Sequence, residues 1–99
     1  MPPIDHAPMH LQASAGQALT IALESTPGAG VVWQPPSAPA GCSLSDAGAV
    51  PSGSGVGGSA TQHFVLVCQQ AGQRHLRFEL KRPWEAEVRA VQPVVVTVT

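Results

Sequence analysis

Tyrosine is absent, and two tryptophans and two phenylalanines are the whole aromatic complement, so no platform exists on which successive bases or sugar rings would stack. Charge is scarce as well. Lys, Arg, Asp and Glu make up 11% of the 99 residues and leave a net charge of −1, which gives no basic field for nucleic acid or an anionic membrane. No apolar run approaches the roughly 20 residues of a helical membrane span. The start, Met1-Pro2-Pro3-Ile4-Asp5-His6, has neither the basic flank nor the apolar stretch of a signal peptide. The chain is therefore expected in the cytoplasm or, if a signal has been removed, in the periplasm or outside the cell. Cysteine is limited to Cys42 and Cys68, an even pair that fits either a disulfide in an oxidising compartment or two buried thiols.

Catalytic chemistry finds little to work with. Aspartate occurs only at Asp5 and Asp46, and the histidines at 6, 10, 63 and 75 are scattered. His63 and His75 are read as lying on adjacent strands, but a zinc site needs further ligands at suitable spacing. The glycine-rich Gly53-Ser54-Gly55-Val56-Gly57-Gly58 leads into a strand pattern, whereas a phosphate-binding loop leads into a helix with Lys and Ser/Thr. Neither cysteine has an activating base suggested near it. An enzyme is not expected, nor a metal or cofactor.

What the chain has in plenty is punctuation. Ten glycines and ten prolines divide it into short alternating stretches. Residues 1–8 carry three prolines and read as a loose arm, leaving 9–99 as one domain. Period-two alternation then marks strands at Met9 to Gln12, at Leu19-Ile21-Leu23, and from Val31 to Gln34. Cys42 to Ser45 is a short, weak strand. Phe64-Leu66-Cys68, Leu76-Phe78-Leu80 and Val94-Val96-Val98 give the inward faces of three more. Residues 46–60, with glycines at 48, 53, 55, 57 and 58, read as a flexible or functional loop. A hairpin around that loop would bring Cys42 and Cys68 opposite each other. Seven strands with frequent turns and no helical period predict an all-β, immunoglobulin-like sandwich. In that architecture the loops after the second, fourth and sixth strands emerge at the same end.

Those three loops are the unusual parts of the sequence. The first is Thr26-Pro27-Gly28-Ala29-Gly30, followed three residues later by Trp33. The second contains Gly55-Val56-Gly57-Gly58, and the third Arg82-Pro83-Trp84. Pro83 ends the preceding strand and leaves an indole on a short, stiffened connection. Trp84 is there either to plug the core or to anchor a partner. In these motifs, in this order, the chain resembles the chagasin-like inhibitors of papain-family cysteine peptidases, whose loops carry Asn-Pro-Thr-Thr-Gly, Gly-x-Gly-Gly and Arg-Pro-Trp or Arg-Pro-Phe. The second and third motifs match in full. The first keeps its Pro and final Gly but has Gly28 and Ala29 where the family has two threonines.

The resemblance implies a monomeric wedge that occupies a peptidase cleft reversibly and without being cleaved. The first loop would lie over the catalytic cysteine, and the other two would grip the walls. The residues suit such roles. Pro27 and Gly30 define a narrow turn that lets backbone approach closely. Gly57 and Gly58 free main chain for hydrogen bonding to an extended segment. Trp84 offers apolar area at small entropic cost, and Arg82 either touches the partner or ties its own loop down. The rival reading is an adhesion or accessory sandwich domain that binds a protein through the same end without inhibiting anything.

Overall fold

The computed structural model describes residues 2–25, 30–51 and 60–99. Alternation produces strands wherever it is strict. β3 (Ala18–Ser25), β6 (Ala60–Cys68), β7 (Gly72–Lys81) and β8 (Ala90–Val98) each bury every second residue over most of their length, as period-two side chains on a half-covered sheet must. β1 (Ile4–Asp5), β2 (Met9–Ala13), β4 (Val32–Gln34) and β5 (Cys42–Pro51) complete the set. One sheet has the order β1-β8-β7-β4, with β2 also on β8; the other is β3-β6-β5. Their inner faces enclose a single core in which the Phe64 and Phe78 rings, one from each sheet, meet at 5.0 Å between centroids. The sandwich is all-β, as the alternation predicts.

Three differences from the sequence reading have clear causes. Residues 1–8 are not a loose arm throughout. Ile4 and His6 donate their backbone N–H groups to the Arg89 and Val91 carbonyls, both at 3.0 Å, and β1 and β2 run parallel to β8. Pro8 has no N–H to give, and the register slips by one residue there, from Asp5↔Val91 to Met9↔Val94. The buried Gln92 side chain reaches across and donates to the Ala7 carbonyl at 2.9 Å.

The second difference is that β5 does not stop at Ser45. It continues through a bulge between Asp46 and Ala49 to Pro51. Gly48, at φ 92°, makes the bulge sterically easy, and the Asp46 carboxylate accepts its N–H at 2.8 Å. The third concerns His63 and His75, which lie in different sheets because β6 pairs with β3 and β5 while β7 pairs with β8 and β4.

Cys42 and Cys68 stand directly opposite in the β5–β6 register and form a disulfide. The bridge closes the open mouth of this hairpin, at the end of the sandwich away from residues 52–59.

Candidate functional site

Connectivity brings three segments to one end of the molecule. β3 ends at Ser25, opposite Ala60 at the start of β6 and next to residues 52–59; Val32 at the start of β4 is opposite Lys81, after which β7 ends. Of the first loop, Thr26, Pro27, Gly28 and Ala29 lie outside the described residues. So do Gly55, Val56, Gly57 and Gly58 of the second. Gly30, Arg82, Pro83 and Trp84 are described, and the stems of all three loops can be built from their residues.

The third loop is a tight turn held by charge. Glu85 N–H donates to the Arg82 carbonyl at 3.0 Å, closing a four-residue turn with Pro83 at its second position. Proline favours that position because its φ is already set. No non-glycine residue among those described has positive φ, so the turn is of type I and Trp84 stands at its tip. The Glu85 carboxylate bridges two guanidiniums, Arg82 at 3.3 Å and Arg89 at 3.4 Å. Arg89 N–H then closes the base of the loop on the Leu80 carbonyl at 2.8 Å. Arg82 thus ties its own loop down. Glu85 was not singled out from the sequence, although a carboxylate three residues after an arginine at a turn is the signal that would have found it.

Trp84 is 73% exposed and does not plug the core. Its outer ring edge lies over Gly30. A β-carbon on residue 30 would come within 2.9 Å of Trp84 Cη2 and 3.8 Å of Arg82 Nε, and Gly30 itself has φ +80°. The conformation calls for glycine, since other residues avoid it, and any side chain there would also push the indole edge aside. The first and third loops therefore meet through Gly30 and Trp84.

A second device holds the stems of the first and second loops. Trp33 is buried, and its Nε1–H donates to the Glu24 carbonyl at 2.6 Å, one residue before the end of β3. β4 is the edge strand of its sheet, so the outward-facing Trp33 backbone has no neighbouring strand to bond. Gln62 of the opposite sheet supplies one. Its Oε1 accepts from Trp33 N at 2.7 Å and its Nε2 donates to Trp33 O at 3.3 Å. Ser25 Oγ donates to the Ala60 carbonyl at 3.4 Å, and Thr61 Oγ1 donates to Glu24 Oε1 at 2.6 Å. The His6 ring packs edge-on against Trp33, 6.1 Å between centroids. Gln62 too was missed. It shares the parity of Phe64, Leu66 and Cys68, and a polar residue on a buried face is a cue that it has a partner.

The described residues include no group of three or more His, Cys, Asp or Glu that could hold a metal ion. What the arrangement offers is a rigid stem presenting loops and one exposed indole, the surface of a protein-binding sandwich. The chain belongs to the chagasin family of peptidase inhibitors: the model described as "Chagasin family peptidase inhibitor I42" matches residues 12–98. It is therefore an inhibitor domain rather than an enzyme. No curated protein sequence matches the chain. Among solved structures it is similar to the cysteine protease inhibitor EhICP2 from Entamoeba histolytica, with a TM-score of 0.72 at 22% identity over the whole of both chains. Amebosin gives 0.67 at 21% identity, again over both whole chains. PbICP-C, solved in complex with falcipain-2, gives 0.70 at 16% identity, covering 98% of this chain and 91% of that one.

Proposed function

We propose that this chain is a reversible, non-covalent inhibitor of papain-like cysteine peptidases that fills the active-site cleft with the loops at residues 26–30, 52–59 and 82–89. The observation that carries the reading is Trp84, an exposed indole at the tip of a turn braced by Arg82, Glu85 and Arg89 and resting on the first loop at Gly30. An apolar anchor fixed before binding loses little entropy on docking, which is how a small surface reaches useful affinity. Family membership and the names of two structural neighbours, a cysteine protease inhibitor and a complex with falcipain-2, support the same reading. The first loop blocks with main chain, because Gly28 and Ala29 bring almost no side chain to the cleft. The Cys42–Cys68 bridge supports an oxidising compartment, periplasmic or extracellular, as the place of action.

The test is a steady-state assay of the purified chain against papain, paired with a binding measurement on the same samples. Competitive, reversible inhibition with the inhibitor recovered uncleaved is the expected result. Binding with undiminished peptidase activity would instead identify an adhesion or accessory domain.

A further inference from the structure

Among the described residues the large apolar side chains left exposed are Ile4 at 66%, Val50 at 57% and Trp84 at 73%. All three fall at the same end of the sandwich. Trp84 is on the third loop, Val50 is one residue from the end of β5, and Ile4 pairs with Ala90 at the start of β8. Val50 flanks residues 52–59. Ile4 belongs to none of the three loops.

We propose that the N-terminal arm at Pro2, Pro3 and Ile4 is a fourth peptidase-contacting element, with Ile4 docking against an apolar side chain on the rim of the cleft beside the wall that Trp84 grips. The inference rests on the inhibitor reading above. Parallel pairing with β8 fixes the direction of the arm, so residues preceding Ile4 point toward the loop end. Ile4 N–H and His6 N–H are bonded to β8, and the His6 ring is against Trp33, so the arm is anchored through backbone and through a neighbouring residue. The Ile4 side chain takes no part in that anchoring and is left outward. Pro2 and Ile4, with Glu87, Val88 and Arg89, line a shallow cleft of about 200 Å³. The last three are the returning limb of the loop that carries Trp84, and Arg89 is fixed there by Glu85. The arm therefore lies directly beside the returning limb of the loop that carries Trp84. Two successive prolines limit the conformations the arm loses on docking.

The experiment compares wild type, Ile4→Ala, Ile4→Asp and Ile4→Val with Trp84→Ala, measuring Ki and dissociation rate against papain, thermal midpoint, and mass by sedimentation. Ile4→Ala is expected to raise Ki by about 5-fold and Ile4→Asp by about 10- to 30-fold, mostly through faster dissociation, with Ile4→Val close to wild type. The thermal midpoint should hardly move, because the bonds to β8 use backbone atoms. If wild type inhibits and Trp84→Ala weakens it while both Ile4→Ala and Ile4→Asp inhibit as wild type, the arm is outside the interface and this proposal is overturned, with the inhibitor reading intact. A midpoint that falls in step with Ki, leaving inhibition per folded molecule unchanged, would make Ile4 structural. A wild-type dimer that Ile4→Asp dissociates without changing Ki would assign the patch to a second copy of the chain. Failure of wild type itself to inhibit would remove the inhibitor reading and this proposal together.

Discussion

The edge of the Trp84 indole comes within 2.9 Å of where a β-carbon on residue 30 would lie, so Gly30 is the seat on which the exposed anchor rests. Two loops separated by more than fifty residues in sequence are thereby set against each other. Replacing Gly30 by alanine separates two effects. The positive φ costs stability, about 1–2 kcal/mol, whereas the clash falls on the far edge of an exposed side chain that can swing away. The steric part should thus appear as weaker inhibition rather than as instability. In a Trp84→Ala background Gly30→Ala should retain its stability cost and lose most of its further effect on Ki. Additive effects on Ki in this double-mutant cycle would show that the seat does not position the anchor.

Trp84→Ala alone should weaken binding by about 2 kcal/mol or more while the thermal midpoint stays near wild type, because the ring is mostly exposed. Loss of fluorescence change on complex formation, with Trp33 left as the sole tryptophan, provides an independent reading. A sharp fall in midpoint with inhibition preserved would contradict the role given to this residue.

Gln62→Leu keeps side-chain bulk but removes the donor and acceptor that serve the Trp33 backbone. Two buried main-chain groups would be left unpaired, costing about 2 kcal/mol or more. Urea unfolding should show a lower midpoint at an unchanged slope. Because the same clamp fixes Trp33, and through it the Glu24 carbonyl at the base of the first loop, inhibition per folded molecule should also weaken. An unchanged midpoint would show that the clamp contributes nothing to stability.

Reduction of the Cys42–Cys68 bridge, or the double substitution to serine, opens a loop with a sequence separation of 26. The chain-entropy estimate for such a loop is about 3–4 kcal/mol. Matched denaturation curves with and without reductant test this, and coincident curves would show that the bridge adds no stability.

Glu85→Gln removes the carboxylate between Arg82 and Arg89. These groups are partly exposed, so the stability change should be under about 1 kcal/mol. Inhibition should nevertheless weaken, since the turn bearing Trp84 loses its brace. Raising the ionic strength should narrow the gap between variant and wild type, because salt weakens the same ion pairs in wild type. A gap that stays constant with salt would place the effect elsewhere.

The strict alternation of Leu76-Phe78 and Val94-Val96-Val98 made β7 and β8 legible, since side-chain parity is set locally and the core merely accepts it. The far half of β5 was not legible. Its residues from Ser45 to Pro51 are exposed on both faces, so no apolar pattern marks them, and backbone pairing to β6 alone makes them a strand. β1 was hidden for a related reason: two residues among prolines have no local preference, and their conformation comes from β8. At the site, Arg82-Pro83-Trp84 announced itself through the rigidity of Pro83 and the size of the indole. Glu85 and Gln62 did not, because each acts through a partner that only the folded chain brings near.

The pairing of β1 and β2 with β8 also governs when this molecule can first exist. Ala7 and Gln92, joined by a hydrogen bond, are 85 residues apart. At translation speeds of about 5–20 residues per second, roughly 4–17 s separate their appearance. During that interval Met9 and Leu11 have no strand to lie against, and the loop bearing Trp84 lacks its second stem. Long-range pairing of this kind is slow to form even in a finished chain. A ribosome-bound chain therefore cannot complete its loop-bearing end until β8 has emerged to pair with β1 and β2.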